Sequence, residues 1–537
     1  MAGLAASLGS GAMTNDFAGI QEADVIMIIG SDTSAAHPVI ASRIKQAVRF
    51  GKSKLIVIDP KEIGMARFAD IYVRQHCGTD VALLNGIMHE IIRNNWHDRS
   101  YIAERCEGFA DLEAVVADYP PEKAAEISGV PAAQIREIAA VFGQAKTASL
   151  FYAMGITQHT SGTDNVWSTA NLQMLCGNLG RPGGGVNPLR GQCNVQGACD
   201  MGALPNVFPG YQKVADPEAR AKFEHAWGKK LPHRPGLTAM EMTAAAAQGS
   251  LKALYIMGEN PLLSEPDIGR VAGELGKLDF LVVQDIFLTE TARLADVVLP
   301  AACYAEKDGL YTNTERRAQR LRRGLRPPGE AREDWEIIQM IANALGGKWN
   351  YGSARELAEE LRGLTPSYGG ISWERVGDTG LQWPCPAEEH PGTPFLHKGH
   401  FARGRGLMKG IRHREPAELP DEEYPLVLTT GRLLEQFHTG TMTRKSAGLN
   451  NLAGPRVMIA AEDADELGIS NGETVKIASR RGEIQAPAFV TRRIGKGTIY
   501  IPFHFREAAA NLLTNPELDP VAKIPEYKVC AARVSRL

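Results

Sequence analysis

Several signatures are missing from this 537-residue chain, and each absence narrows what it can be. No G-x-G-x-x-G and no G-x-x-x-x-G-K occurs, so NAD and ATP have none of their usual phosphate loops. The eight cysteines (77, 106, 176, 193, 199, 303, 385 and 530) make no C-x-x-C pair. They read as neither a disulfide framework nor an iron–sulfur or zinc site, which suits a reducing, cytoplasmic setting. Apolar runs such as Val25–Ile29 are far too short to cross a bilayer, so no direct membrane span is expected. Neither sign of charge dominates. With 59 basic against 62 acidic residues there is no bulk field to draw in nucleic acid or an anionic membrane.

Glycine, by contrast, is concentrated. Within residues 177–205 (GNLGRPGGGVNPLRGQCNVQGACDMGALP) eight glycines fall between Gly177 and Gly202, with Pro182 and Pro188 among them. Such a backbone predicts a loop that no helix or strand runs through, and its scarce apolar side chains argue against a place in the core. Its amide N–H groups can approach a large ligand closely and bind anionic oxygens. Inside it Arg190 can grip a small anion, and Gln192, Asn194 and Gln196 follow it. A surface loop of chance composition is the bland alternative; a cofactor cradle that grips a small anion is the sharp one.

A chain of this length should form two to four domains. The first 150 residues alternate apolar runs with helical patterns, giving strands over 24–30, 54–58 and 149–153 and helices near 37–50, 80–94 and 132–145. This rhythm predicts a parallel sheet covered by helices, with ligands beyond the carboxyl ends of its strands. Gly30-Ser31-Asp32, Asp59 and Gly155-Ile156-Thr157-Gln158 lie at those ends. A second set of strands is expected over 253–257, 280–283 and 296–299. The first two end in Gly258-Glu259-Asn260-Pro261 and Gln284-Asp285, with Thr289 following. One polar residue at a strand end is often only a turn former, but repetition in both halves points to a shared ligand. Residues 363–420, rich in glycine, proline and charge, read as a linker or irregular insertion. Short strands over 474–478, 485–490 and 498–502, separated by turns, then predict a small β-barrel. The stretch 315–326, ERRAQRLRRGLR, holds six arginines without interleaved aromatics. It reads as a solvated or subunit-docking face rather than an RNA site.

The loop from Asn187 to Gly202 resembles N-P-x-R-G-x-x-N-V-Q-G-A-x-D-M-G of the alpha (catalytic) subunits of molybdenum- or tungsten-dependent formate dehydrogenases, within the molybdopterin oxidoreductase family, and supplies every fixed letter. The resemblance extends along the whole chain. It implies an α/β fold with two related dinucleotide-binding-like domains of mainly parallel sheet (1–192 and 193–304). A connecting segment (305–420) and a C-terminal β-barrel cap domain (421–537) follow. It implies a bis(molybdopterin guanine dinucleotide) cofactor with molybdenum or tungsten, formate or carbon dioxide as substrate, and electron-transfer subunits carrying iron–sulfur or flavin centres. Arg190 matches the family's substrate-binding arginine. Asp32, Asp59, Gly78, Asp80, Gly155, Gln158 and Gln192 resemble contacts to one dinucleotide, and Gly258, Asn260, Gln284, Asp285 and Thr289 contacts to the other. From the cap, Arg432, His438, Thr439, Thr441, Asn511, Tyr527 and Lys528 resemble closing contacts. Thr312-Asn313-Thr314-Glu315-Arg316-Arg317 resembles a stretch that runs under the cofactor, where some of its arginines would meet pterin phosphates.

One departure stands out. The family places a [4Fe-4S] region and a (seleno)cysteine-His-x-Pro-Ser-Val-Ala-Gly-Leu stretch ahead of this point, whereas the chain opens Met1-Ala2-Gly3-Leu4. No metal ligand is therefore expected within it, and the cluster is expected only in such a preceding region. Methionine in place of valine is what a GTG start codon just past a selenocysteine TGA would produce. A catalytic subunit read without its front, a non-catalytic pterin-fold scaffold of a respiratory complex, and a sister enzyme for another small anion such as nitrate all stay open. A scaffold has no use for Arg190, which favours the first.

Overall fold

A computed structural model describes residues 1–537, and its contacts group into two compact units. The first holds Met1–Gly191, Glu265–Gly269 and Phe395–Leu537; the second holds Gln192–Ser264 and Arg270–Pro394.

In the first unit a five-stranded sheet runs in the order Ile71–Val73, Lys54–Ile58, Val25–Ile29, Ala148–Tyr152, Val186–Pro188, every neighbouring pair parallel. All five residues of the central strand are buried because both faces are covered. Side chains alternate between the faces. Met27 and Ile29 join Ile56, Ile58 and Leu150 in one core, which also takes Leu84 and Ile87 of the helix Asp80–Arg93. Ile26 and Ile28 join Leu55, Val57 and Phe151 in the other, against Ile40 and Ile44 of the helix Pro38–Phe50.

The C-terminal strands close into a six-stranded barrel in the order Leu426–Gly431, Thr498–Pro502, Val457–Ala460, Glu483–Thr491, Thr474–Ala478, Cys530–Arg536. Closure removes the open sheet edges. Leu428, Val475, Ile477, Ile499 and Leu513 fill its core. The barrel and its tail are fastened to the N-terminal sheet. Asp519 accepts hydrogen bonds from Thr163 N and Oγ1 (2.8 and 2.7 Å) at the start of the helix Gly162–Leu175. Glu526, fully buried, accepts from the Thr160 N–H at 3.2 Å and, through its other oxygen, from the Ala417 N–H at 3.0 Å. Carboxylates at a helix N-terminus satisfy its free N–H groups and favour its dipole.

Two expectations for this unit need correction. The glycine-rich segment does carry regular structure: Val186–Pro188 is the edge strand of the sheet, and a helical turn, Val195–Asp200, follows in the second unit. Leu179, Val186 and Leu189 are buried. Three residues suffice for an edge strand, and the glycines on either side supply the turns. Residues 395–420 are irregular but not a linker, since Phe401 and Met408 lie in the core of the sheet.

The second unit contains a three-stranded parallel sheet, Val297–Pro300, Phe280–Asp285, Ala253–Met257, over a small core of Ile256, Leu281, Val283 and Ala292. A hairpin of Gly309–Thr312 and Arg317–Leu321 stands beside Leu381–Gln382 in a separate sheet. This hairpin overturns the solvated reading of the first half of the arginine stretch. Arg316 is wholly buried and donates to the carbonyls of Trp383, Thr393 (2.9 Å) and Pro394 (3.0 Å). Arg320 lies 3.9 Å from the centre of the Trp373 ring. Arg322 and Arg323 stay exposed, paired with Asp378 and Glu333. A guanidinium can be buried where several carbonyls meet its donors, which an arginine count does not reveal.

Candidate functional site

The ends of the parallel strands and the barrel enclose a cleft of about 830 Å³, part of it continuous with solvent. Of the residues singled out from sequence, Asp32, Asp59, Gly78, Asp80, Gly155, Arg432 and Lys528 line it. The turns and helix starts that follow these strands supply the first five, as the switch from strand to helix leaves backbone free at that edge. The barrel supplies the last two.

Glycine is required at two of these positions. A Cβ on Gly155 would stand 2.3 Å from the Gly30 carbonyl oxygen, and one on Gly30 would stand 2.8 Å from Gly155 C. Gly30 also has φ of +57°, which L side chains resist. The two strand ends thus meet backbone to backbone and open the cleft floor.

The charges are arranged in pairs. Lys61 Nζ lies 3.0 Å from Asp32 Oδ2 and 4.0 Å from the centre of the Tyr500 ring. Burial disfavours its charge, but Tyr500, Asp32 and Asp59 outweigh that and hold the ammonium above its usual range. Asp59 accepts from the Lys61 N–H at 3.0 Å, and burial pushes its carboxyl up to about 7. Burial, with Arg432 nearby, pulls the Lys528 ammonium down to about 7; it donates to the Thr430 carbonyl at 2.7 Å. Burial also raises Asp80, which accepts from Gln75 Nε2 at 3.1 Å. Groups that titrate near neutrality can adopt whichever charge a ligand's N–H or phosphate demands.

Four buried polar atoms on residues lining the cleft make no hydrogen bond within the chain: Nδ1 of His37, Oε1 of Gln75, Nε of Arg432 and Nδ1 of His159, the last 3.8 Å from Glu526. An unpaired buried donor or acceptor costs about 1–3 kcal/mol, so such atoms mark a place for a polar ligand. Cationic groups at Lys61, Arg432 and Lys528 suit phosphates, and carboxyls at Asp59 and Asp80 suit the N–H groups of a purine base. The residues present fit a dinucleotide.

Arg190 stands beside this cleft. Its neighbours Leu189 and Gly191 line it, and its own Nη2 donates to the Gly11 carbonyl at 3.1 Å. Gly11 is packed on the Met1 backbone, which a Cβ there would approach to 2.9 Å. His438 contacts Arg432 at 3.3 Å and packs on Gly191. Gln158, Gln192, Thr439, Thr441, Asn511 and Tyr527 do not line the cleft. Gln158 closes the helical turn Met154–Thr157, Thr439 and Thr441 bond each other at 2.9 Å, and the Tyr527 carbonyl accepts from Thr430 Oγ1 at 2.9 Å. Asn511 is buried beside Thr514, and Gln192 opens the second unit.

In that second unit the polar strand ends build their own turns. Asn260 Oδ1 accepts from Thr291 N and Oγ1 (3.1 and 2.7 Å), and Thr289 Oγ1 accepts from the Ala292 N–H at 3.1 Å. Asp285 accepts from the N–H groups of Ile286 and Phe287. Gln284 accepts from the Tyr255 hydroxyl and donates to Asp334 at 2.7 Å. Gly258, with φ of +66°, has open space around it.

Residues 4–344 match the family described as Molybdopterin oxidoreductase, and residues 426–531 match the Molydopterin dinucleotide binding domain. The chain belongs to the molybdopterin oxidoreductase family. It is 51% identical to the F420-dependent formate dehydrogenase subunit alpha of Methanocaldococcus jannaschii, across 100% of this chain and 80% of that relative. Formate dehydrogenase H of Escherichia coli is 40% identical over 99% of this chain and 76% of its own length. Acetylene hydratase of Pelobacter acetylenicus shares the fold, with a TM-score of 0.76 at 22% identity over 100% of this chain and 80% of its own. The barrel therefore carries the family's molybdopterin dinucleotide binding domain.

Sequence reasoning missed His37, Lys61, Gln75 and Tyr500 in the cleft. Lys61 follows Asp59-Pro60 at a strand end, a signal that could have found it. Tyr500 faces outward from a barrel strand, between the core residues Ile499 and Ile501, and leaves no such mark.

Proposed function

We propose that this chain is a formate dehydrogenase catalytic subunit, which oxidises formate to carbon dioxide or runs the reverse reaction. The observation that carries this reading is identity of 49–51% across 100% of the chain to three alpha subunits of F420-dependent formate dehydrogenases. Each formate would lose one proton and two electrons on becoming carbon dioxide. The cofactor would be a bis(molybdopterin guanine dinucleotide) with molybdenum or tungsten, which supplies the two-electron chemistry when bound. Asp59, Asp80, Lys61, Arg432 and Lys528 would hold one dinucleotide in the cleft. Gly258, Asn260, Gln284, Asp285 and Thr289 are the positions proposed for the other.

Arg190 would bind the formate carboxylate through its fork, fixing both oxygens and leaving the C–H directed away from the guanidinium. Its placement supports this. The guanidinium donates to Gly11, which packs on Met1, and the family's sulfur or selenium ligand lies shortly before the matching Ala-Gly-Leu. Electrons would pass through a [4Fe-4S] cluster to a partner subunit with iron–sulfur or flavin centres, in the cytoplasm. No helix of the chain is long and apolar enough to cross a membrane.

Formate-dependent reduction of a one-electron dye by the metal-loaded protein tests the reading. Turnover of formate supports it; normal metal and nucleotide content without any formate turnover overturns it.

A further inference from the structure

The cradle residue that carries the proposed substrate-binding guanidinium is held by two histidines from distant parts of the chain. His37, just ahead of the helix Pro38–Phe50, places Nε2 2.6 Å from the Arg190 carbonyl oxygen. A carbonyl only accepts, so this nitrogen carries the hydrogen and donates it. His438, from the barrel side, packs on the next residue: a Cβ built on Gly191 would stand 2.9 Å from its Cε1 and 3.2 Å from its Nε2. The Gly191 backbone hydrogen-bonds that ring. Just before, Leu189 N donates to the Tyr152 carbonyl at 2.8 Å, the last sheet bond of the segment. Beyond it the histidines grip two successive peptides where the sheet no longer does.

We propose that His37 and His438 are positioning residues for formate: a two-sided clamp on the Arg190-Gly191 backbone that fixes where the Arg190 guanidinium meets the substrate. This rests on the formate reading above. Burial lowers His37 to about 4 and His438 to about 3, so both rings are neutral at ordinary pH. Neutral donors hold the loop without adding charge of their own to that of Arg432, whose Nη2 a Cβ on Gly191 would meet at 2.6 Å. Proximity of this kind is steep, since misplacement by about 1 Å can cost roughly a hundredfold in rate.

The test uses the metal-loaded, full-length enzyme, with four variants. His37→Leu and His438→Leu remove the donor, whereas His37→Gln keeps an N–H near the position of Nε2 and His438→Gln keeps an amide donor. Amide hydrogen exchange of residues 189–194 is measured beside kcat and KM for formate, with metal and nucleotide content. The clamp predicts faster exchange in each leucine variant, a formate KM raised about tenfold or more in the fraction that carries metal and nucleotide, and substantial recovery in His37→Gln. Unchanged exchange and KM in His37→Leu would overturn it. So would an activity loss that lost cofactor accounts for in full, with KM unchanged in the loaded fraction, because the histidines would then only be holding the cofactor. Absence of formate turnover in the wild-type enzyme would instead defeat the underlying reading, while the exchange data would still judge the clamp.

Discussion

Gly30 and Gly155 touch backbone to backbone at the ends of two neighbouring parallel strands, with the Gly155 N–H donating to the Gly30 carbonyl at 2.9 Å. A methyl group on Gly155 would meet only Gly30 main chain, and one on Gly30 would meet Ile156 Cγ2 as well as the Gly155-Ile156 backbone. Gly155→Ala should therefore destabilise the first unit by about 1–3 kcal/mol, the usual cost of overpacking. The cleft floor would shift with it. Thermal denaturation together with retained nucleotide content checks this; a variant as stable and as well loaded as the wild type would show that the strand ends separate easily.

Lys61 joins the sheet to the barrel through Asp32 on one side and the Tyr500 ring on the other. Its side chain is 7% exposed and that of Asp32 18%. Lys61→Met removes the cation and leaves the carboxylate poorly solvated, which should cost about 3 kcal/mol. The double variant with Asp32→Asn should lose less. Equal unfolding midpoints for Lys61→Met and wild type would mean that water already compensates the pair.

Arg190→Lys keeps the charge and loses the fork. The expected loss is about 1.5–3 kcal/mol of charge-assisted hydrogen bonding, or one to two orders of magnitude in kcat/KM for formate. Metal content should stay normal. Unchanged kinetics at normal loading would remove Arg190 from the substrate site.

Glu526 fastens the C-terminal tail to the N-terminal sheet. Burial works against its ionised form. The His159 ring and the N–H groups of Thr160 and Ala417 outweigh burial and hold the carboxyl below its ordinary range. A depressed acid stabilises the fold above its unfolded pKa, near 4.5, and this contribution fades as pH falls from there through the folded value. Glu526→Gln should therefore lower stability by about 1–3 kcal/mol at neutral pH. The gap to wild type should narrow below about pH 4. Denaturation midpoints at pH 7 and pH 3.5 read this directly; a gap that widens in acid would contradict the sign.

Release of nucleotide from the loaded protein should give about two GMP per metal ion, since two guanine dinucleotides would surround one metal. Recovery of metal without guanine nucleotide would exclude that cofactor.

The legible part of this protein is the part that local pattern encodes. The run VIMII at 25–29 declares a strand buried on both faces, and the structure places it at the centre of the parallel sheet. Gly30, Asp59 and Gly155 were legible as strand-end residues because a ligand at such a sheet must sit beyond the carboxyl ends. Arg316 was not legible. Nothing in ERRAQRLRRGLR says that three carbonyls from residues 383–394 would converge on one of its six arginines. Val186–Pro188 was hidden for the opposite reason, since a three-residue edge strand leaves no periodicity to read.

From sequence alone came the alternation of strands and helices, the glycine cradle and the arginine within it, because dihedral preference and burial act between residues close in the chain. Tertiary packing alone decided which polar groups share a space. His37 and Arg190 are 153 positions apart, and Lys61 and Tyr500 come from a sheet and a barrel with no local signal linking them. Their meeting depends on how the barrel seats on the strand ends, and that is set by the sum of many buried contacts. The same packing, by excluding water, keeps His37 neutral and brings Asp59 and Lys528 to titrate near 7, properties no isolated side chain possesses.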